Sequence, residues 1–413
     1  MADNCILLEP NKNSMTQLLR TLLIVCAGLL CFNSHSVAQV VWDREHLDSI
    51  RDQPPAKGTE IANALEVLRT LADEALQREP GCVTQKTEVP PSGDVHDYQS
   101  FSRYWWPDPD KEDGKPYIRK DGVVNRTLVE RGDRVRLGQF GNDVKALALA
   151  GHLFKDKRYS EHAAKMVRVW FLDEETKMNP NLNFGQGVPG RAVGRGPGIL
   201  DTRGFIFVLD SLELLDETQW TKENQSDLQA WFREYIKWMQ EDKLGIHEGK
   251  AKNNHGSWYD AQLSRYALFA DDIELAKKVL EAAKTKRILN QFDANGFQAQ
   301  EIKRTRSLHY SMFNLTALST LSRVGDRAGV KLWDFKPEHG SGLSDSLRML
   351  LPHVAGESEW PHQQMVPYTL SRSANLMLRL FAKHCSDSAF TDVIPKTTIR
   401  HPELDYSALL VGE

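Results

Sequence analysis

The chain has 413 residues and a formal net charge of −4, with 52 basic against 56 acidic side chains. This near balance excludes the bulk electrostatic footprint of a nucleic-acid binder, so an anionic polymer would have to be met by a local basic cleft. With 41% hydrophobic residues there is material for one large core, and five cysteines are too few for a disulfide framework.

Residues 1–38 read as a secretory signal peptide. Leu18 to Phe32 is apolar except for Arg20 and Thr21, and it precedes Ser36, Val37 and Ala38, a small-residue cleavage pattern. The run is shorter than the about twenty residues a membrane span needs. Cleavage after Ala38 predicts a periplasmic or secreted protein with no membrane association thereafter. Residues 39–413 then form a single domain of about 375 residues that keeps only Cys82 and Cys385, one disulfide at most.

Apolar residues recur at spacings of three and four along Ala62–Leu76, Asp143–Leu153, Ser160–Leu172, Gly204–Leu215 and Gln225–Met239, which predicts helices. The series continues through Ser257–Phe269, Ile273–Lys286, Leu308–Leu321, Ser344–Leu351 and Thr369–Lys383. Short polar turns such as Phe154–Arg158 and Ala270–Asp272 join neighbours, and no alternating run is long enough for a sheet. Repeated helical hairpins predict an all-α fold, an (α/α) toroid or incomplete barrel of about six to seven pairs.

Two long irregular stretches interrupt the helices. Pro90–Asn125 carries Tyr104, Trp105 and Trp106, and Asn179–Arg203 carries Gln186 and Arg195 among many glycines. Extended loops are uncommon in a compact domain unless they do something. Aromatic faces pack on sugar rings, and amides and arginines answer hydroxyls and carboxylates, so these residues are candidates to line a sugar cleft. The competing reading is that the paired tryptophans plug the loop onto the core.

The richest chemistry lies in Asn253–Tyr259 and Gln298–Tyr310, which together hold tyrosine, histidine, asparagine and arginine. That set suits removal of a proton next to a carboxylate: the carboxylate is neutralised, a base takes the proton, and an acid protonates the leaving oxygen. The Asn253–His255 and Arg304–Tyr310 segments, the Tyr104–Pro107 loop ahead of Pro116–Gly122, and Gly194–Thr202 together resemble the alginate lyase superfamily of bacterial polysaccharide lyases, from about Asp94 to about Tyr368. The resemblance implies a toroid, a secreted or periplasmic enzyme, and β-elimination on a 1,4-linked polyuronate. By position it gives Asn254 and Arg304 the substrate carboxylate, places His255 beside C5, and lets Tyr310 take the C5 proton, protonate O4, or do both. Asn253, Tyr259, Arg306 and His309 are expected around them as substrate-binding groups.

A solvated tyrosine is a poor base, and the cations Arg304 and Arg306, with nearby His309, are expected to favour its phenolate. If the last segment is helical throughout, Arg306 shares a face with Tyr310; if the helix starts near Ser307, Arg304 reaches the cleft from the entering loop. Glu301 would orient a neighbour or stay solvated. Mannuronate and glucuronate present the C5 proton and O4 on one side, so one tyrosine serves both, whereas guluronate calls for a base on the other face. Mannuronate-rich alginate or glucuronan is therefore the leading partner, and glycosaminoglycans stay in view.

Two other readings remain. A glycoside hydrolase on the same toroid would need paired carboxylates, from Asp108, Asp201, Asp260 or Glu301. A non-catalytic acidic-polysaccharide-binding protein would use the aromatic loops alone. No cofactor motif appears, and neither the acidic turn Asp108–Asp113 nor His353 and His362 has the spacing of a metal site. The sequence is silent on oligomeric state.

Overall fold

The computed structural model describes residues 40–412 except residue 339. The signal-peptide reading of residues 1–38 falls outside the described residues. The chain from Gln39 onward packs as one unit, and its fold is the all-α toroid of helical hairpins expected above.

Helices α1 (Arg44–Asp52) and α2 (Glu60–Leu76) lead in, followed after a long loop by the short α3 (Arg126–Glu130) and then α4 (Arg134–Phe154), α5 (Lys157–Phe171), α6 (Phe205–Leu212) and α7 (Lys222–Glu241). Next come α8 (Lys243–Gly249), α9 (Asn254–Phe269), α10 (Ile273–Ala283), α11 (Ser307–Ala328), α12 (Leu343–Val354) and α13 (Arg372–Cys385). The starts are set by side-chain caps: Thr59, Asp156, Thr221, Asp272 and Ser371 each accept a hydrogen bond from a first-turn N–H. The polar turns between hairpins use the left-handed conformation, at Lys155 between α4 and α5 and at Asp271 between α9 and α10.

Two kinds of helix make the two layers. In α9 every residue except His255 and Leu268 is buried, and α4 is buried from Asp143 to Leu153 save at Lys145. A helix covered on all sides belongs to an inner layer. Helices α5, α7 and α10 bury one face only, and they flank the inner helices: α5 packs on α4, and both α7 and α10 pack on α9. Helix α11 lies against α9 on one side and α12 and α13 on the other. An aromatic cluster of Phe171, Phe205, Trp231, Phe232 and Tyr266, with neighbouring ring centroids 4.7 to 6.3 Å apart, ties the layers together. Cys82 and Cys385 are both free thiols.

The irregular stretches carry short strands. β1 (Gln99–Phe101) in the first pairs in parallel with β4 (Phe184–Gly187) in the second, while β2 (Trp105–Trp106) and β3 (Ile118–Arg119) make an antiparallel pair. Asp201 locks both stretches to α4. Its carboxylate accepts from Tyr98 at 3.1 Å, Ser100 at 2.7 Å, Gln186 at 2.9 Å and Arg134 at 3.1 Å.

The helix expectations hold along most of the chain. The main differences are the first half of α4, the short α1, α3 and α8, and the end of α10, where Lys284–Leu289 turns as a π-helix.

Candidate active site

The junction of α8 and α9 is fixed from outside by one arginine. Arg287, on the π turn after α10, donates to Asp260 at 2.7 Å, to the Ala251 carbonyl at 2.6 Å and to the Gly249 carbonyl at 2.9 Å. Its guanidinium passes so close to α9 that a Cβ on Gly256 would lie 2.2 Å from it and 2.1 Å from the Ala251 oxygen. The glycine after His255 is therefore a packing requirement, and it places the first turn of α9.

On that turn, His255 is the half-exposed residue of an otherwise buried surface, and its Nδ1 lies 2.5 Å from the carboxylate of buried Glu248. Glu248 fixes the ring's orientation, and in the tautomer whose Nδ1–H it accepts, Nε2 is the ring's acceptor. Asn254 is fully buried. Its backbone N–H and its amide nitrogen all donate to Glu301, at 2.7 to 2.9 Å, and its Oδ1 has no partner. Burial raises the Glu301 carboxyl, and the Asn254 hydrogen bonds and the charge of Arg304 oppose that rise.

Helix α11 starts at Ser307, so Arg304 sits in the entering loop and Arg306 at the cap position. Of the two alternatives left open by the sequence, this one puts Arg304 against the tyrosine: its guanidinium carbon lies 3.6 Å from the centroid of the Tyr310 ring. Asp121 holds it there, accepting from Arg304 at 2.8 and 3.2 Å and from the Thr305 hydroxyl at 3.0 Å. Burial alone would raise the Asp121 carboxyl; the Arg304 and Thr305 hydrogen bonds and the Arg119 charge outweigh it and bring the pKa down to about 2. The Tyr310 hydroxyl donates to that of Tyr104 at 2.8 Å, joining α11 to the first irregular stretch.

The expectation that cations would favour the phenolate is corrected here. Burial and the neighbouring Tyr104 push the Tyr310 phenol well above its ordinary value, and Arg304 offsets only part of that. His309 adds no charge, because burial and Arg306 lower it to about 4, and its Nδ1 faces the Gln364 amide at 2.6 Å. In the ligand-free protein Tyr310 is a neutral phenol.

Other candidates divide between the cleft and the framework. Trp105 and Trp106 are half-exposed rather than plugged into the core. The Trp105 ring lies beneath Arg191 and Arg195, at 5.3 and 5.7 Å, and one terminal nitrogen of Arg195 is buried without a partner. Tyr259, expected in the cleft, is instead buried, its hydroxyl bonded to the Met239 carbonyl at 2.8 Å and its ring under Gly249. Gln186 is likewise buried in the Asp201 network, and Asn253 caps α9 through the His255 N–H. Arg306 has a buried Nε with no partner.

The carboxylates considered for hydrolysis are committed elsewhere: Asp201 to four donors, Asp260 to Arg287, Glu301 to Asn254, and Asp108 to a loop turn. Among the described residues no cluster of three or more histidine, cysteine, aspartate or glutamate side chains could hold a metal ion. Sequence reasoning missed Glu248 and Asp121, the two acids that hold His255 and Arg304.

The chain has no match among the curated proteins. Its structure is similar to that of an alginate lyase from Bacteroides ovatus, at 33% identity and a TM-score of 0.83, covering 90% of this chain and 98% of that one. Alginate lyase A1-III from Sphingomonas species A1 shares the fold at 13% identity and a TM-score of 0.56, covering 92% of this chain and 96% of that one. A histidine-to-alanine variant of A1-III complexed with tetrasaccharide aligns over the same shares of the two chains, at 13% identity and a TM-score of 0.58. The alginate lyase family model matches residues 82–360, a span that includes Tyr104, His255, Arg304 and Tyr310, and the chain therefore belongs to the alginate lyase family of polysaccharide lyases.

Proposed function

We propose that this lyase cleaves 1,4-linked polyuronates, mannuronate-rich alginate or glucuronan, by β-elimination, leaving 4,5-unsaturated uronate ends. The observation that carries the reading is the Tyr310 phenol, held between the guanidinium of Arg304 and the hydroxyl of Tyr104. A group that must exchange protons with both C5 and O4 on one face of a sugar needs a fixed oxygen, a nearby cation and a partner for its proton.

Arg304 supplies the counter-charge to the substrate carboxylate. The unpartnered Oδ1 of Asn254 is an acceptor for that carboxyl once it has taken a proton from solvent on entering the site, the form in which the C5 proton is most acidic. Loss of the C5 proton places charge on the carboxyl oxygens, the bond to O4 breaks as the 4,5 double bond forms, and O4 leaves with a proton. Tyr310, neutral at rest, is the donor to O4. To take the C5 proton as well, Tyr310 must first give up its own along the hydrogen bond to the Tyr104 oxygen, Tyr104 releasing its hydroxyl proton to solvent in exchange; the phenolate so formed takes the C5 proton and hands it to O4. His255, with Nε2 free, stands as base for the opposite face, the one guluronate would present. Export of the mature chain to the periplasm or beyond, where polymers are met, belongs to this reading.

The test is the ultraviolet absorbance of unsaturated uronates formed from polymannuronate, polyguluronate and glucuronan by the wild type and by Tyr310→Phe. The expected result is a rise on at least one polymer that Tyr310→Phe abolishes. No rise on any of the three would overturn the substrate assignment, and an undiminished rise with Tyr310→Phe would remove that phenol from the chemistry.

A further inference from the structure

Lined by none of the catalytic side chains described above, a cavity of 420 Å3 lies between α4, the start of α6, α9, the start of α13 and the C-terminal segment. Its wall includes Trp258, one helical turn beyond Asn254 on α9, and Arg203, whose guanidinium lies 5.7 Å from the ring of Phe313, itself one turn beyond Tyr310 on α11.

The charged lining has more cations than free carboxylates. Lys145 is the exception to the burial of α4, and no acceptor reaches its ammonium among the described residues; its neighbours are the Phe207 ring at 5.4 Å and the charges of Arg372 and Arg203. Trp42 and Trp258, both buried, carry indole N–H groups with no partner. Arg203 and Arg372 each satisfy only one backbone carbonyl, and Arg400 stands exposed at the edge. The two lining carboxylates are already engaged, Asp201 as described and Asp405 with the Asn375 amide at 2.8 Å and the Ser407 N–H at 2.9 Å. An ammonium facing this cavity, near the charges of two guanidinium groups and with no carboxylate to answer it, is unfavourable. Burial and those two charges bring its pKa down to about 7. A cavity that concentrates unpaired cations beside two indoles is complementary to an anion with an apolar face.

We propose that this cavity binds a hexuronate anion, its carboxylate met by Lys145, Arg203 and Arg372 and its ring walled by Trp42 and Trp258. The proposal rests on the polyuronate reading and adds a second uronate site one helical turn from the catalytic groups, sized for a single released or terminal sugar residue.

Calorimetric titration of the mature chain with D-glucuronate and D-mannuronate at pH about 6.5, where Lys145 is largely charged, tests it. Wild type and Arg304→Gln, which alters only the catalytic groups, should bind alike, and Lys145→Met should bind at least about tenfold more weakly. Methionine fills the lysine's volume without its charge. The melting temperature of ligand-free Lys145→Met should therefore stay level or rise, whereas a lysine kept for structure would lower it when replaced. Binding that survives Lys145→Met, or that is lost in Arg304→Gln, overturns the proposal. So does the absence of binding, or binding of inorganic phosphate in place of either uronate. Polyuronate cleavage that depends on Tyr310 alongside binding indifferent to Lys145 would sink the cavity assignment alone. Lysine-dependent binding in a chain that cleaves no polyuronate would sink the lyase substrate assignment and leave the cavity site standing.

Discussion

Replacing Glu248 by glutamine probes the arrangement on which His255 depends. The side chains are nearly the same size, so the 2.5 Å approach to Nδ1 survives while the charge does not. A hydrogen bond to a buried carboxylate contributes about 1.5–3 kcal/mol, and a neutral one about 0.5–1.5. The difference, about 1–1.5 kcal/mol, corresponds to a fall of roughly 5- to 15-fold in kcat if His255 carries charge in the transition state. That is the smaller of two outcomes. Should the glutamine turn its NH2 toward Nδ1, the proton moves to Nε2 and the acceptor facing the cleft is lost, a change that costs on the order of 10^3 or more in enzymes that rely on a fixed tautomer. Initial rates of unsaturated-uronate formation against the concentration of polyguluronate, the polymer for which His255 stands as base, separate the effects, because Glu248 is buried behind the His255 ring and KM should hold. A kcat within twofold of wild type would refute the argument and return His255 to a binding role.

Tyr104→Phe removes a neighbour that raises the Tyr310 phenol, so the ascending limb of the kcat profile should move to lower pH if Tyr310 acts as base; an unmoved profile would show that it does not. Asp121→Asn frees Arg304 from its anchor and should lower kcat/KM about tenfold, with an exposure-discounted loss of stability below about 1 kcal/mol. The Asp121 carboxyl is depressed in the fold, so the stability it lends is complete above the unfolded pKa of about 4 and lost as pH falls toward 2. Acid unfolding followed by circular dichroism should therefore be less steep over that window in Asp121→Asn. Gly256→Ala drives a methyl into Arg287 and the Ala251 carbonyl, an overpacking cost of about 1–3 kcal/mol, and should lower the melting temperature and kcat together.

The outer helices were legible because each buries one face and leaves a stripe. The first half of α4 was not, and the cavity explains why. Leu137, Phe140 and Val144 keep the helical spacing and are buried, but Gly138, Gly141 and Asn142, poor helix formers that line the cavity, break up the segment in sequence, so the expected helix begins only at Asp143. Helix α8 is seven residues with a glycine at its end and another inside, too short for periodicity to register. The π turn after α10 looks like more of the same helix in sequence, and only the position of Arg287 shows what the change of winding accomplishes.

At the site the sequence showed one member of each pair. Tyrosine, histidine and arginine stand out as residue types, but the groups that hold them act across distances the chain does not display: Asp121 reaches Arg304 over 183 positions, and Tyr104 reaches Tyr310 over 206. Glu248 is only seven residues from His255, yet it was hidden because an acid near a histidine means nothing until α8 and α9 meet at an angle. The misjudged candidates share one cause. Tyr259 and Asn253 lie beside His255 in sequence and Gln186 lies in a glycine-rich loop, yet each bonds the framework instead: Tyr259 to the Met239 carbonyl, Asn253 to the His255 N–H, and Gln186 to Asp201. The ionisation of Tyr310 was misread for a related reason. Counting cations along the segment credited it with three, while the fold gives it one guanidinium, a neutral histidine turned toward Gln364, and a burial that outweighs both. On the reading proposed above, a phenol so placed keeps its proton until substrate arrives, and the encounter of the substrate carboxylate with Arg304 would be the event that sets the chemistry in motion.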